Sequence, residues 1–177
     1  MIEENYLELF NKEPLLKKEL FAIFKNFLDN SGFSVIDISN TEEKGVYDYK
    51  VEKDSKQYCI RILLKNVCNS GWKEKPYIKR VQVQHLSNIC KTTKEMCFLL
   101  GGITIFDDKP ILVVWNPLRY LYHQTIRSAY VNVSSIKECI DNIGYHYCND
   151  YNNEIFICDE HNFEKLLGCY YYFIYVE

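Results

Sequence analysis

The sequence predicts an α+β fold: N-terminal helices packed on a mostly antiparallel, curved sheet, with a C-terminal helix closing the chain. Three observations predict it. Apolar residues recur at helical spacing near the N-terminus, then at period two from Phe33 onward, and then in an alternation of short helix and strand. A block of helix followed by a block of strands argues against a doubly wound parallel sheet. At 177 residues, 47% of them hydrophobic and 25% charged, the expectation is one domain over 1–177 with one core.

Tyr6, Leu9 and Phe10 suggest a short first helix. Leu15 to Leu28 then sets Leu16, Leu20, Ile23, Phe24 and Phe27 on one stripe, with Pro14 in the first turn and Asn30 to Gly32 as the stop. Strands are expected at Phe33–Ile38, Val46–Val51, Gln57–Leu64 and Ile78–Gln84, separated by turn signals at 43–45, 53–55 and 68–71. Beyond the polar stretch Ser87–Lys94, Met96–Phe106 and Pro110–Trp115 read as a hairpin turning at Asp107 to Lys109. Gly101 and Gly102 read as a strand kink or bulge. A strand at Thr125–Val133, a helix at Ser134–Ile143 capped by Ser134 or Ser135, a strand at Glu154–Cys158 and a helix at His161–Tyr172 complete the order. The run Tyr170–Tyr172 with Phe173 is expected to pack that last helix on the sheet, with an oligomer interface as the alternative.

Charge is distributed unevenly. Residues 44–94 hold 12 Lys or Arg against 4 Asp or Glu, while residues 1–43 sum to −5, residues 95–131 to zero and residues 132–177 to −6, giving a net −3. A basic block between acidic flanks favours a polyanion, because neutralising phosphates releases their condensed counterions. The alternative is a solvated, lysine-rich strand face. Aromatics make up 15% of the chain, 15 of them Tyr, which suits base stacking and interfaces as well as core.

The eight cysteines fall mostly in apolar runs, and the acidic N-terminus has no signal-peptide pattern. No apolar stretch is long enough to span a bilayer. The expectation is a cytoplasmic protein with free thiols and no membrane partner.

Two clusters carry the chemistry. In the first, a polar loop with Lys65, Trp72, Lys73 and Lys75 leads through Lys79 into a strand bearing Arg80, Gln82 and Gln84. Period two sets those three on one face and leaves Val81 and Val83 to the core. Arg matches the two acceptors of guanine, and Gln can bond both edge atoms of adenine. An exposed polar strand face is the alternative. In the second, Trp115, Asn116 and Pro117 end a strand, and Arg119, His123 and Arg127 follow at intervals of four beside Tyr120 and Tyr122. Cations interleaved with aromatics suit phosphates and stacked bases; a loop packed by its tyrosines is the alternative.

The two clusters carry a family resemblance. Lys65-Asn66, the polar loop, Arg80-Val81-Gln82, then Trp115-Asn116-Pro117, then Ser128-Ala129-Tyr130 before a short helix, together resemble the methylase-associated N-terminal recognition domains of bacterial restriction endonucleases. The resemblance covers about residues 45–165. It implies sequence- or modification-specific binding of double-stranded DNA within a restriction-modification or phage-defence system, with a nuclease or methylase subunit as possible partner. Arg127 precedes Ser128-Ala129-Tyr130, where the pattern would set a basic residue after the serine-rich strand. With no second domain visible before Glu177, the expectation is that a nuclease module is absent, truncated or on a separate subunit.

Other chemistries are weaker. A Mg²⁺-dependent nuclease would use Asp48, Glu52 and Lys65, but no Asp/Glu-x-Lys lies on the second strand. A protein-interaction subunit with a basic docking face is a further alternative. His146, Cys148, Cys158 and His161 could hold zinc, yet no Cys-x-x-Cys pair exists. No phosphate-binding glycine loop or hydrolase motif is present, and no cofactor is expected apart from Mg²⁺ under the nuclease alternative. An extruded base could be stacked by Trp72 and Tyr77, or by Trp115, Tyr120 and Tyr122, with Gln82 or Asn116 on its edge. The simpler account keeps those rings in the core or against sugars. The oligomeric state and target sequence are not legible.

Overall fold

Period-two alternation in this chain builds two sheets, not one. The computed structural model describes residues 4–11, 13–41, 45–84, 86, 96–121 and 125–175. A 3-10 helix at Glu4–Leu9 comes first, followed by α1 (Lys17–Asn30). Then come β1 (Ser34–Asn40), β2 (Val46–Lys53), β3 (Lys56–Asn66), β4 (Cys68–Asn69) and β5 (Ile78–Val83). The remainder runs β6 (Met96–Phe106), β7 (Lys109–Trp115), a 3-10 helix at Pro117–Tyr120, β8 (Arg127–Asn132), α2 (Val133–Asp141), β9 (Tyr145–Asp150), β10 (Asn153–Asp159) and α3 (Phe163–Tyr175). The class is α+β, as expected.

Seven strands form one sheet in the order β1-β2-β3-β6-β7-β10-β9, and β4-β5-β8 form a second. Every pairing is antiparallel except β3 with β6. Three of the hairpins turn on residue pairs with positive φ: Asp54–Ser55, Asp107–Asp108 and Tyr151–Asn152. Two-residue turns of that hand match strand twist and fix the register.

The large sheet is buried on both faces. Tyr49, Val51, Ile62, Leu99, Leu112, Val114 and Phe156 point toward α1 and α3, which supply Phe24, Phe27, Phe163 and Leu166. Phe24 and Phe163 meet edge to face with centroids 5.6 Å apart. On the other face, Phe98, Leu100, Val113, Trp115, Ile155 and Ile157 pack against Val81, Val83, Ala129 and Val131 of the small sheet and Ile136 of α2.

Gly102 decides how closely the sheets approach. A Cβ there would lie 2.6 Å from Val67, 2.8 Å from Val81 and 3.0 Å from the Trp115 ring. The register through Gly101 and Gly102 is unbroken, so the expected kink or bulge is absent. The glycine is a contact point. The bulge instead lies in β1, between Val35 and Asp37.

Other expectations are corrected. Pro14 and Leu16 lie before α1, not in it, because the Asn66 side chain bonds both backbone groups of Leu15 (2.8 and 3.0 Å) and holds it outside the helix. Leu16 is consequently exposed. α2 is capped by Asn132, whose Oδ1 accepts from Ser134 N at 3.0 Å; the Ser135 hydroxyl donates to Asp150 instead. β4 and β9 were not foreseen. The turn at 43–45 lies partly outside the described residues, as do the side chains of Tyr170–Phe173 and the stretch Ser87–Lys94. Among the described residues, no helix is long and apolar enough to cross a membrane.

Gly102→Ala is expected to lower stability by about 1–3 kcal/mol in chemical denaturation. Gly101→Ala should cost less, because its new Cβ would meet mainly the flexible Cδ1 of Ile62 at 3.1 Å. Alkaline pH should act through the buried thiols: burial pushes Cys148 up to about 11 and Cys139 to about 12, and raises Cys158 well above the ordinary thiol value. Above about pH 9 the unfolded chain sheds these protons while the native chain keeps them, so stability should fall between about pH 9 and pH 12. A pH series of urea melts checks this.

Candidate nucleic-acid interface

The small sheet unites the two sequence clusters. β5 pairs with β8 so that Arg80 lies opposite Tyr130 and Gln82 opposite Ser128, while β4 sets Cys68 opposite Arg80. Opposed residues share a face, and here it is the face turned away from the core. Arg80 is half-buried, Gln82 exposed, and Val81 and Val83 are buried beneath them. Gln84 follows the strand end and is exposed. The expected alternation is therefore what the strand adopts.

Arg80 is held in position by a bond from Nη1 to the Ser128 hydroxyl at 3.1 Å. Beside it, Lys65 is anchored by donating to the backbone carbonyl of Gln82 at 2.6 Å. The loop before β5 is fixed by Ser70 N to Ile78 O, Lys75 N to Trp72 O and Ile78 N to Lys75 O, at 3.0–3.1 Å. It carries the Trp72 ring over Tyr130, with centroids 5.0 Å apart and planes 30° apart. Lys75 Nζ lies 5.5 Å from the Trp72 centroid, and Lys73 is exposed. Across the sheet, Tyr130 meets Tyr151 of the β9–β10 turn at 5.7 Å. Exposed Arg127 and Arg119 complete the rim, the latter bonded weakly to Tyr151 O at 3.4 Å.

Several expected contacts lie elsewhere. Trp115 is fully buried and its Nε1 donates to Tyr130 O at 2.8 Å, so its ring is core and supports β8 from below. Lys79 shares the parity of Val81 and Val83 and is therefore drawn inward. Its ammonium donates to Asn69 Oδ1 at 2.5 Å and sits 4.4 Å from the Phe10 centroid, and burial lowers its pKa. Asn116 spends both amide functions internally: its carbonyl caps Leu118 N at 3.0 Å and its amine donates to Glu154 at 2.9 Å. Tyr120 is half-buried and its hydroxyl accepts from Asn153 at 2.7 Å. Tyr77 packs against the core. His123 and Tyr122 lie outside the described residues. Arg119 is in a 3-10 helix and Arg127 begins β8, so the four-residue spacing is not one helical face.

The basic block is likewise dispersed. Arg61 grips Asp48 through Nε and Nη2 at 2.7 and 2.8 Å, and Lys53 pairs with Glu164. This pairing engages one carboxylate of the nuclease alternative. Asp48 is already held by a guanidinium, and Glu52 is four residues along the same strand, ~13 Å away at ~3.3 Å per residue. Lys65 is eight residues past Gln57, the partner of Glu52, which sets it ~26 Å from Glu52 along the strands, with Asp48 between them. Zinc fares no better: Cys158 is buried in β10, His146 faces Glu138 at 3.4 Å, and no group of three or more His, Cys, Asp or Glu gathers among the described residues.

Sequence reasoning missed Tyr151 and Asn153 as parts of this face. Their signal was the polar run Asp150-Tyr151-Asn152-Asn153, a good two-residue turn, but its strand β9 is an unremarkable polar edge.

The family model described as Methylase-associated X1 matches residues 58–166. The chain belongs to the methylase-associated X1 family. The matched region runs from β3 into α3, and so contains the whole small sheet and every strand of its surroundings except β1 and β2. No curated protein and no solved structure matches the chain.

Two measurements check this geometry. Asp48→Asn should lower stability by about 1 kcal/mol, as expected for weakening a partly exposed charged hydrogen-bond pair. Among the cysteines of the described residues, native-state alkylation should modify exposed Cys68 first and leave buried Cys139 and Cys158 unmodified until the chain unfolds; mass spectrometry reads the order.

Proposed function

We propose that this methylase-associated domain binds double-stranded DNA through the outer face of the small sheet, with specificity for sequence or base modification, within a restriction-modification or phage-defence system. The observation that carries the reading is the placement of half-buried Arg80 and exposed Gln82 on one outward strand face, with Arg80 oriented by Ser128. A β-ribbon fits the major groove, and those side-chain types match guanine and adenine edges. Lys65, Lys73, Lys75, Arg119 and Arg127 surround that face and would take phosphates, setting affinity and register while the strand sets sequence. Arg61 and Lys53, paired with carboxylates, and Lys79, turned inward to Asn69, play no part.

The family name supports the setting, because a domain that accompanies a DNA methylase would share DNA with it as substrate. Cleavage or methylation would come from another chain or module. The Mg²⁺-nuclease alternative is not favoured, given the occupied Asp48 and the spread of Glu52 and Lys65.

A mobility-shift titration against a pool of mixed-sequence duplexes tests the reading. Binding should weaken as salt rises, and selection from the pool should yield a preferred site. Arg80→Ala should cost about 1–3 kcal/mol on that site and relax its sequence. Lys73→Ala should weaken all sequences alike and reduce the salt slope by about 1. No salt-sensitive binding at low ionic strength would overturn the proposal.

A further inference from the structure

The groove between the small sheet and the β9–β10 turn has a composition that groove reading of a duplex does not require. Its volume is about 410 Å³, and Trp72, Tyr130, Tyr151, Tyr120, Asn153 and Arg127 line it. Trp72 and Tyr151 are 44% and 43% exposed, a large apolar outlay for a turn and a loop. Tyr130 ties them together from below, in contact with both rings.

A second, independent observation lies in the same wall. Asn153 is 3% exposed and its Nδ2 donates to the Tyr120 hydroxyl at 2.7 Å, yet its Oδ1 is shielded from solvent without a hydrogen-bond partner. A buried acceptor left unsatisfied is unfavourable, and a ligand that supplies a donor relieves it. Tyr120 accepts from Asn153 and so keeps its own proton for donation. Both residues line the groove, so a small opening of the wall would present an acceptor beside a donor, and the Watson–Crick edge of any nucleobase offers the complement.

We infer that this groove captures one unpaired nucleobase of the bound DNA, stacked on Trp72 and Tyr151 and met at its edge by Asn153 and Tyr120. The inference rests on the DNA-binding reading above. Arg127 and Arg119 stand where the sugar-phosphate on either side of that base would pass. Stacking accepts every base because each has a π-face, so this subsite adds affinity while Arg80 and Gln82 discriminate.

Trp72 supplies its own reporter, since the second tryptophan, Trp115, is fully buried. Short single strands should quench the intrinsic fluorescence, and a strand of equal length made of abasic sites should bind about tenfold more weakly with little quenching. Trp72→Phe should abolish the quench. Tyr151→Asn keeps a residue suited to the left-handed turn and should weaken strand binding about tenfold without moving the melting temperature. Two further arms separate the sources of the base. Quenching by a duplex with one bulged nucleotide but not by a fully paired duplex supports capture of bases already unpaired; quenching by both supports extrusion from the helix. Equal binding of base-bearing and abasic strands overturns the inference. If a mobility shift on the same sample still shows duplex binding, only the base subsite falls. Quenching by single strands without any duplex shift would remove the duplex reading and leave the subsite.

Discussion

The close approach at Gly102 is the constraint on which the arrangement depends. A residue without a side chain, in the middle of a regular eleven-residue strand, lets Val67, Val81 and Trp115 meet over the backbone of the large sheet. Close packing of this kind leaves little slack, since interiors approach crystalline density. Trp115 then reaches across the gap and donates to Tyr130 O, so one indole joins the two layers through both packing and a hydrogen bond. The outer face above them inherits its position from this junction: Tyr130 opposes Arg80, and Arg80 leans on Ser128 two register positions away.

Much of this was legible in the sequence. The strand carrying Arg80 and Gln82 had its faces assigned by period two alone, and that alternation survives in the fold because Val81 and Val83 have a core to enter. The hairpins at Asp54–Ser55 and Asp107–Asp108 were legible because left-handed turn residues leave a local signature. What failed was whatever depends on distant partners. Lys79 looked like a surface cation until its parity, shared with Val81, drew it inward toward Phe10. Trp115 looked like a stacking residue because a chain cannot display which aromatic rings another sheet will cover. The misreading of Gly102 has the same origin, since its reason lies in Val67 and Val81, remote along the chain. β9 escaped because a polar edge strand has only one apolar neighbour to satisfy and so carries weak alternation.

Charge shows the same lesson at larger scale. The linear excess of lysine and arginine between residues 44 and 94 suggested one field, yet folding divides it. Arg61 and Lys53 neutralise carboxylates, Lys79 is desolvated, and Lys65, Lys73, Lys75 and Arg80 gather with Arg119 and Arg127 from another part of the chain. The relevant quantity is the charge presented on one face, which only the pairing of β5 with β8 determines.

Tyr151 belongs to the large sheet and Trp72 to the loop that leads into the small one, yet both touch Tyr130. Anything held between them works as a clasp across the layers. Its grip and the cohesion of the two sheets are then thermodynamically linked: occupancy tightens the seam, and loosening the seam at a buried point far from the groove relaxes the grip without removing a single ligand contact. Under the proposed capture, the hold on the base would be partly stored in the protein's own interior.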